Sequence, residues 1–227
     1  MRVSDPPGAG DGTSRRTART RVRRNPGRAS HALEDIHAVL DAGLLCHVGY
    51  QLDQGPVVTP TAYWREGNRV YWHGSAASQM LKHQSMRMPV CLTVSHFDGL
   101  VMARSAFHHS VNYRSVMIFG TSEPVSDAQE KLRQLALFME RIAPGRWDQV
   151  RQPTTRELRL TSLMSLPLDE AVLKSRSGPP VDDVADYELD VWAGVLPVTT
   201  RAGRPVDDPA LAAGVAPPRG LRSLKTN

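Results

Sequence analysis

The sequence predicts a mainly β protein, in which antiparallel strands close into a barrel and a few helices lie at its periphery. Three observations indicate this class. Apolar runs of strand length follow one another from about Leu44 to Lys174. Turn signals such as Asp53-Gln54-Gly55 and Glu66-Gly67-Asn68 join neighbouring runs into hairpins, which require antiparallel pairing. Helical patterns are too few to alternate with the strands, as a doubly wound α/β fold would need.

The predicted strands are short and are linked mostly by hairpins. Closing such a sheet into a barrel removes the exposed strand edges that would otherwise pair with other chains. Pro60 lies inside one run and indicates an edge position or a bulge. Phe97-Asp98-Gly99 is a further hairpin signal between two runs. In chain order the predicted strands are Leu44–Tyr50, Val57–Trp64, Arg69–His73, Val90–Ser95, Leu100–Phe107, Tyr113–Gly120 and Leu160–Lys174.

Helix signals lie before and between these runs. Ser30 is the predicted N-cap and Gly43 the predicted left-handed terminal residue of a first helix. A short helix is predicted over Ala76–Gln84. The run Ser126–Gln129 has the pattern of a capping box and begins a longer helix, and Thr154 begins a helical turn. The apolar face of the first helix is formed by Leu33, Ile36, Val39 and Leu40.

One folded domain is predicted over residues 28–200. The chain has 227 residues with 41% hydrophobic content, which is enough for one sizeable core. Residues 1–27 lack hydrophobic periodicity and predict a disordered basic tail. Residues 201–227 are rich in Pro and Gly and predict a flexible C-terminal tail.

Positive charge is concentrated at the N-terminus. Residues 1–30 hold eight Arg and two Asp, a net charge of +6, whereas the whole chain carries +5. Residues 31–227 therefore carry a net charge of −1 and have no excess positive field with which to hold a polyanion. A nucleic-acid partner is not expected, and a solvated tail is the simpler interpretation of the Arg-rich segment.

Further patterns bear on the compartment and on metals. No apolar run reaches membrane-spanning length, and the Arg-rich N-terminus is not followed by the apolar segment of a secretory signal. We therefore expect a cytoplasmic protein with no membrane partner, in which Cys46 and Cys91 stay reduced. His108 and His109 are adjacent and would face opposite sides of an extended strand. Without a Cys/His/Asp cluster of suitable spacing, no metal site is predicted.

The first candidate site is the run Tyr71–Lys82, which has the pattern of a strand entering the N-terminus of a helix. The free N–H groups and the positive end of a helix dipole suit an anion such as phosphate. Gly74 would let a ligand approach the backbone, and Ser75 and Ser78 would add hydroxyl donors. Lys82 lies on the same helical face as Ser78. An ordinary capped surface helix with a solvated lysine is the alternative, and these residues alone favour it.

The second candidate site is Ala106–Val116, where polar and aromatic groups lie at the mouth of an apolar strand. Arg114, with Asn112 and Tyr113 beside it, could bind a phosphate or the carboxylate of a partner chain. A flat ring system could pack on aromatic side chains at strand ends, although core packing is the alternative for each of them. These aromatic side chains are Tyr63, Trp72, Tyr113 and Trp192.

Three segments of the chain resemble the FMN-binding split-barrel superfamily. They are Tyr71–Ser75, Ala103–Val116 and Val191–Pro197. The closer resemblance is to the pyridoxamine 5′-phosphate oxidase-related branch that includes nitroimidazole-resistance-type proteins, because the string from His108 to Val116 is specific to one branch. The resemblance spans residues 23–200. It implies an antiparallel split β-barrel that forms a homodimer, with two flavin sites at the interface between the subunits.

The resemblance also implies where FMN would bind. Its phosphate would lie near Ser75, Ser78 and Lys82, and its ring would lie along the strand that holds Thr59 to Tyr63, close to His73. By its His-Gly context, His73 matches a histidine held important for activity in the nitroimidazole-resistance relatives, which makes it the candidate catalytic residue. The implied cofactor-binding set is Thr59, Pro60, Tyr63, His73, Gly74, Ser75, Ser78, Lys82, Asn112, Tyr113, Arg114 and Trp192.

The function that the resemblance implies is that of an FMN-dependent oxidoreductase acting on a small molecule. In such a protein the cofactor performs the redox chemistry and the chain positions it. The alternative is a non-catalytic protein that binds or sequesters a flavin, a deazaflavin or haem, and FAD is an alternative to FMN. The sequence shows no basic site for the phosphate of a pyridoxamine substrate, so a role in vitamin salvage is not expected.

Overall fold

Ten antiparallel strands form one sheet in this computed structural model, which describes residues 12–218 of the chain. The strands are β1 (Ala29–Ser30), β2 (Leu45–Leu52), β3 (Gly55–Glu66), β4 (Arg69–Ser75), β5 (Pro89–Met102), β6 (Ser110–Thr121), β7 (Glu123–Pro124), β8 (Thr161–Pro167), β9 (Ala171–Arg176) and β10 (Gly194–Pro197). The α-helices are α1 (Leu33–Ala42), α2 (Gln79–Gln84), α3 (Ala128–Ile142) and α4 (Thr155–Leu160). No helix within residues 12–218 is long and apolar enough to cross a membrane.

The order of the strands along the sheet is β1-β9-β6-β5-β2-β3-β4-β8-β7, and β10 pairs with β5 beyond the end of β2. Neighbouring strands are antiparallel, as the hairpin signals predict. The sheet curls strongly. This is visible from β6 and β8, which approach each other although several strands separate them in the strand order. A Cβ at Gly120 on β6 would lie only 2.8 Å from Cδ1 of Leu166 on β8.

The main core lies inside this curve and is built by the alternation of side chains along the strands. On β2, Cys46, Val48 and Tyr50 point inward, and the residues between them are exposed or half-buried. The same alternation continues through β5 and β6. Helix α1 packs against this core with Ile36 and Leu40, which are both fully buried. Burial raises the pKa of the Cys46 thiol to about 12, so this thiol stays protonated.

The opposite face of the sheet, here called the outer face, carries the alternate residues. A second, smaller cluster forms there over β3, β4 and β8. In it, Trp64, Tyr71 and Leu163 are packed against Leu137 and Phe138 of α3. Farther along the sheet, on β2, β3, β5, β6 and β10, several apolar side chains of the outer face are exposed.

Helix α3 is fixed to the sheet by a hydrogen-bond network around Gln134, which is fully buried. Trp64 donates from Nε1 to Oε1 of Gln134 at 2.8 Å. Nε2 of Gln134 donates to Glu66 at 2.6 Å and to Glu130 at 3.0 Å. Arg133 bridges the same two carboxylates and holds their pKa values below the usual range. The polar groups beneath α3 therefore satisfy one another, as burial requires.

The described part of the N-terminal segment is not a detached tail, which corrects the prediction. Ser14 is buried, and its Oγ donates to the carbonyl of Ala171 at 2.6 Å. Thr17 and Arg19 both donate to the carboxylate of Glu170. Small hydroxyl side chains and backbone groups add this segment to the edge of the sheet, so it needs no apolar periodicity to fold.

The remaining domain limits follow from the element bounds. The strands and helices named above all lie within residues 28–200. Residues 201–218 are exposed almost throughout and form no strand or helix, which agrees with the expected C-terminal tail as far as the structure describes it. The predictions for residues 1–11 and 219–227 lie outside the described residues.

Two boundaries predicted within the sheet are wrong. Phe97-Asp98-Gly99 is not a hairpin, because β5 runs through it as one strand of 14 residues with a bulge in its register to β6. The extra residue is Asp98, whose carboxylate is held by Arg114 of β6. The predicted strand Leu160–Lys174 is instead β8 and β9, separated by a 3-10 turn at Leu168–Glu170. That turn carries the chain from the neighbour of β4 to the neighbour of β6.

The predicted helices form, with shifts at their ends. Helix α1 begins later than a cap at Ser30 would place it, and Gly43 follows it with φ −106°, outside the left-handed region. Glycine is needed there for space instead, since a Cβ at Gly43 would lie 2.9 Å from the hydroxyl of Tyr63. The side chain that caps α3 belongs to Asp127, and α4 follows Thr154 as predicted.

Candidate functional site

The predicted cofactor-binding residues of β3, β4 and β6 divide between the two faces of the sheet. Residues of equal parity on a strand share a face, and the buried pair Tyr63 and Trp72 marks the inner face of β3 and β4. Those on the inner face are Thr59, Tyr63, Gly74, Asn112 and Arg114. Those on the outer face are Pro60, His73, Ser75 and Tyr113.

Tyr63 is a core residue of the single chain. Its side chain is fully buried, and its hydroxyl donates to the carbonyl of Leu40 at 2.6 Å. Burial raises the pKa of this phenol, so it stays neutral. Thr59 is half-buried, with its Oγ1 at 3.4 Å from the hydroxyl of Tyr50. Pro60 is exposed where β3 pairs with β2 but not with β4, which confirms the edge position predicted for it.

His73, the candidate catalytic residue, lies on the outer face beside α3. Its ring centroid is 5.0 Å from that of Phe138 and 5.7 Å from that of Trp64. Its Nδ1 is buried and has no hydrogen-bond partner among residues 12–218. Burial lowers the pKa of His73 below its usual 6.5, so the imidazole is neutral at neutral pH. In the single chain this unpaired nitrogen is enclosed by the fold.

The strand-to-helix junction that predicted a phosphate site is smaller than the sequence indicates. Helix α2 has six residues and begins at Gln79 rather than near Ala76. Ser78 occupies its N-cap position but makes no capping bond with its side chain. A Cβ at Gly74 would lie 2.9 Å from Cδ1 of Leu81, so glycine here permits α2 to pack closely on β4. Close packing of the helix on the strand therefore explains the glycine at position 74 without a bound ligand.

The side chain of Ser75 makes a hydrogen bond within the chain, whereas Lys82 is exposed. The Oγ of Ser75 accepts from the N–H of Ala77 at 3.2 Å. Lys82 is exposed and lines a cavity of about 340 Å³. The cavity is also lined by Leu52, Ala77, Gln79, His83 and Met86. As phosphate-binding residues, Ser75, Ser78 and Lys82 stay predictions.

Asn112 and Arg114 line another cavity, of about 420 Å³, with residues of β9 and of the segment after β10. Arg114 donates twice to Asp98, at 2.8 and 3.0 Å, and this pairing raises the pKa of its guanidinium. Asn112 donates to the carbonyl of Gly178 at 3.1 Å and accepts from Arg176. In the single chain both side chains tie β6 to its surroundings.

The two predicted parts of the flavin site lie on different strands of the sheet. One part lies on β3, β4 and α2, and the other lies on β6. Strands β5 and β2 stand between β6 and β3 in the sheet.

The loop between β5 and β6 is held by the segment that follows β9. Asp182, whose side chain is fully buried, accepts from the N–H groups of Arg104 and Ser105 at 3.0 and 3.4 Å. It also pairs with the guanidinium of Arg104 at 3.2 Å, over which Tyr187 stacks at 4.8 Å. Phe107 in the same loop is 86% exposed. The loop is thus anchored at its start and displays an apolar tip.

His108 and His109 of this loop have different partners. Nε2 of His108 lies 3.4 Å from Oδ2 of Asp183, and Asp186 brings a second carboxylate to this group. Their ligand atoms lie within 4.8 Å of one another, a cluster that the sequence does not predict because the residues are far apart in the chain. Nδ1 of His109 lies 2.8 Å from the carbonyl oxygen of Ser105, and the His109 side chain is exposed.

Trp192, the remaining predicted site residue, is displayed at the surface beside this loop. It is exposed, and its ring lies over Gly194, where a Cβ would be 2.9 Å from the ring. Gly194 pairs with Met102 at the end of β5. A ligand or a second chain can therefore reach Trp192.

Sequence reasoning missed a cavity of about 640 Å³ along the N-terminal segment. Its lining combines cations with apolar groups, among them Arg16, Ala18, Arg21, Val22 and Pro26. The cluster of arginines was the available signal. It predicted a tail because the pairing of this segment with the sheet depends on hydroxyl and backbone groups that carry no periodic pattern.

The chain belongs to the pyridoxamine 5′-phosphate oxidase family, whose model matches residues 33–175. The matched range begins at α1 and includes all but the last residue of β9, so it covers the strands that carry most of the predicted site. The resemblance predicted from the sequence is therefore confirmed. The comparison with curated proteins found no match.

Two solved structures are similar to nearly the whole chain. The flavocytochrome Anf3 from Azotobacter vinelandii has a TM-score of 0.87 and 42% identity, over 90% of this chain and 95% of that chain. The FAD and haem binding protein from Mycobacterium smegmatis has a TM-score of 0.83 and 33% identity, over 87% of this chain and 99% of that chain. Both likenesses extend beyond the range matched by the family model.

A proposed 5-nitroimidazole antibiotic resistance protein from Bacteroides thetaiotaomicron has a TM-score of 0.53 and 21% identity, over 64% of this chain and 85% of that chain. At this identity the likeness concerns the fold alone. Together with the antiparallel sheet, these structures confirm the predicted mainly β, split-barrel class, in which the sheet is curved but not strictly closed.

Proposed function

We propose that this protein binds both a flavin and haem and transfers electrons between them. The observation that carries the proposal is the likeness, over about nine-tenths of the chain, to a flavocytochrome and to an FAD and haem binding protein at 42% and 33% identity. Each match covers nearly the whole of the other chain, at 95% and 99%.

The outer face has a surface that fits haem. A haem site needs apolar side chains against the ring and an axial ligand for the iron. Leu196, Leu100 and Val111 form a row across the adjacent strands β10, β5 and β6, and all three are exposed. His109 precedes β6 at the end of this row. Exposed apolar surface beside a histidine supports a covering group that is itself largely apolar.

A flavin fits the other part of the outer face. Pro60 offers an apolar surface there, and Lys82 of α2, which packs against β4 at Gly74, offers an accessible cation for a phosphate. FAD is the first candidate, since the similar mycobacterial structure is named for it, and FMN, which the sequence favours, is the second. The bound flavin would supply the redox chemistry, and the chain would hold and orient it.

The functional unit that we propose is a homodimer. Val58 and Leu45 on the outer face are 63% and 56% exposed, and Phe97 on the same face is also exposed. Contiguous exposed apolar surface is typical of an interaction site. A second copy seated on this face would cover these side chains. It would also allow Tyr113 of one chain to approach the β3–β4 part of the other.

A second candidate function is cofactor binding without catalysis of a small-molecule reaction. It is favoured by the way the fold uses the predicted polar groups, since Asn112, Arg114 and Tyr63 are engaged within the chain. An oxidoreductase acting on a small molecule needs a group that exchanges protons, and His73 is the predicted candidate for this role.

Cofactor analysis of the full chain, produced in cells that make haem, tests the proposal. We expect flavin absorption bands together with a Soret band, and FAD as the flavin released on denaturation. A protein with flavin and no haem would contradict the proposal. Light scattering on the same sample should show a dimer, and a stable monomer that holds both cofactors would refute the shared interface.

A further inference from the structure

A haem ligand must meet physical demands that separate the eight histidines of this chain. Iron binds the lone pair of a neutral imidazole, and Nε2 is the better donor to a bulky porphyrin because Nδ1 adjoins the Cβ. The other nitrogen carries the proton, and a hydrogen bond to a carbonyl or carboxylate orients the ring and raises its basicity. The ring must also be reachable by a large planar ligand.

Three histidines are excluded as haem ligands, either by burial or by a hydrogen bond at Nε2. His31 and His96 are buried, and each bonds a backbone carbonyl within the core region. His83 directs Nε2 to the carbonyl of Gln51 at 3.0 Å, which leaves only its hindered Nδ1. Nε2 of His96 and of His83 is already hydrogen-bonded, whereas His31 bonds through Nδ1 and lines the N-terminal cavity but is only 9% exposed.

Three more lack a free, oriented Nε2. His37 has its Nε2 buried, and His73 has its Nδ1 buried without the acceptor that would orient the ring. The ring of His73 is also packed beside Phe138. His108 directs Nε2 towards Asp183 at 3.4 Å.

Two exposed histidines remain, His47 and His109. Nδ1 of His109 lies 2.8 Å from the carbonyl oxygen of Ser105, so the proton belongs on Nδ1 and the lone pair on Nε2. His47 has no hydrogen bond to either ring nitrogen within the described chain. His109 is therefore the histidine that combines exposure, an oriented ring and an unhindered Nε2.

The carbonyl that orients His109 is itself fixed. The N–H groups of Ser105 and Arg104 point at the buried carboxylate of Asp182, at 3.4 and 3.0 Å. This bond holds the start of the loop in place, so Ser105 presents its carbonyl at a defined position. Such support beyond the ligand itself is what metal-binding imidazoles require.

Apolar side chains lie on the same face of the sheet as His109. The residue has an extended backbone, with φ −57° and ψ 141°, and continues the alternation of β6 so that it shares a face with Val111. Val111 pairs with Leu100, and Leu100 pairs with Leu196, which places three exposed apolar side chains in one row. Phe107, two residues before His109, is also exposed.

We propose that His109 is an axial ligand of the haem iron through Nε2, with the row of Leu196, Leu100 and Val111 packed against the ring. The proposal rests on the proposed function, that this chain binds haem. Ser105 and Asp182 are then positioning residues that hold the ligand.

The test compares full-length wild type with His109→Gly and with the matched variant His47→Gly. Absorption and electron paramagnetic resonance spectra report the iron ligands. We expect His109→Gly to lose about tenfold or more in haem affinity, as ligand-shell changes do, and added imidazole to restore the wild-type bands. We expect His47→Gly to keep the wild-type spectrum. Circular dichroism confirms that the variants are folded.

Each result decides the proposal. Unchanged bands and haem content in His109→Gly overturn it, as does a folded variant that loses haem without rescue by imidazole. If imidazole restores the wild-type bands only in His47→Gly, the proposal is also overturned. If imidazole restores them in both variants, the proposal is supported and His47 is a second ligand. If His109→Gly does not fold, His109→Gln keeps the side-chain volume and must still lose the wild-type bands. Wild type without haem refutes the proposed function, and this is visible before any variant is made.

Discussion

Replacement of Arg19 by Ala tests whether the N-terminal segment is part of the folded domain. Arg19 donates from Nε to Glu170 at 3.0 Å and makes a second contact through Nη2. Its guanidinium also lies 5.2 Å from the ring centroid of Phe119. The side chain of Glu170 is only 11% exposed, whereas that of Arg19 is 53% exposed. Removing the guanidinium therefore leaves a nearly buried carboxylate with Thr17 as its remaining side-chain donor.

The magnitude follows from these contacts. A hydrogen bond to a charged group contributes about 1.5–3 kcal/mol when it is protected from solvent, and the exposure of Arg19 reduces this to about 1 kcal/mol. The contact with Phe119 adds about 0.5 kcal/mol. We expect a loss of about 1.5 kcal/mol in the free energy of unfolding, which lowers Tm by about 3–6 °C in a chain of this size.

Thermal and denaturant unfolding of Arg19→Ala and of the control Arg21→Ala provide the measurement. Arg21 lines the N-terminal cavity without an ion pair among the described residues, so its replacement should change stability by less than about 0.5 kcal/mol. Equal, small effects of the two variants would refute the reasoning. A truncation that begins at Arg23 removes the Glu170 contacts altogether and should destabilise more than Arg19→Ala. This differs from the sequence-based expectation that residues 1–27 form a disordered tail.

The same pair has a defined pH dependence. The hydrogen bond from Arg19, opposed by burial, lowers the pKa of Glu170 below its usual 4.5. A carboxyl whose folded pKa is depressed adds stability above the unfolded pKa, and this stability is lost as the pH falls through the folded pKa. The difference in Tm between wild type and Arg19→Ala should therefore shrink below about pH 4.5. A difference that stays constant down to pH 3 would contradict the pairing.

Three further predictions concern the outer face and helix packing. Gln134→Leu leaves Nε1 of Trp64 without its acceptor and should cost about 1–3 kcal/mol in unfolding free energy. A loss below about 0.5 kcal/mol, as for an ordinary surface substitution, would show that the bond is unimportant. Because burial lowers the pKa of His73, the unfolded chain binds the proton more readily, so His73 makes stability fall as the pH drops below its usual 6.5. His73→Phe should flatten the fall in Tm between pH 7 and about pH 5, and an unchanged slope would place the imidazole in solvent. Gly74→Ala pushes a Cβ to 2.9 Å from Leu81 and should cost about 1–3 kcal/mol, measured by urea unfolding, unless α2 shifts freely.

Much of the sheet could be predicted because its signals are local. Alternation along β2 and the turns at either end of β3 lie within a few residues of one another, and they identify strands and antiparallel pairing together. The bulge at Asp98 could not be predicted in this way. A bulge and a hairpin share the sequence Phe97-Asp98-Gly99, and the choice between them depends on Arg114, which approaches from the next strand.

The candidate site was less predictable, because its residues act through distant partners. The hydroxyl of Tyr63 donates to the carbonyl of Leu40, and Arg114 pairs with Asp98. Both side chains thus hold the fold, and their contact with a cofactor stays a prediction. His109 has a partner nearby in the sequence, but the support of that partner comes from a distant segment. Its partner Ser105 is only four residues away, but the anchoring of that loop by Asp182 joins segments 78 residues apart along the chain. Such a contact has no signature in a single sequence.

Native mass spectrometry of the full chain tests the central claim most directly, because it counts chains and cofactors in one assembly. We expect a dimer that carries one flavin and one haem for each chain, with FAD identified by its mass. His109→Gly should keep the dimer and the flavin and lose the haem. Single chains, or dimers that carry flavin and never haem, would contradict the account.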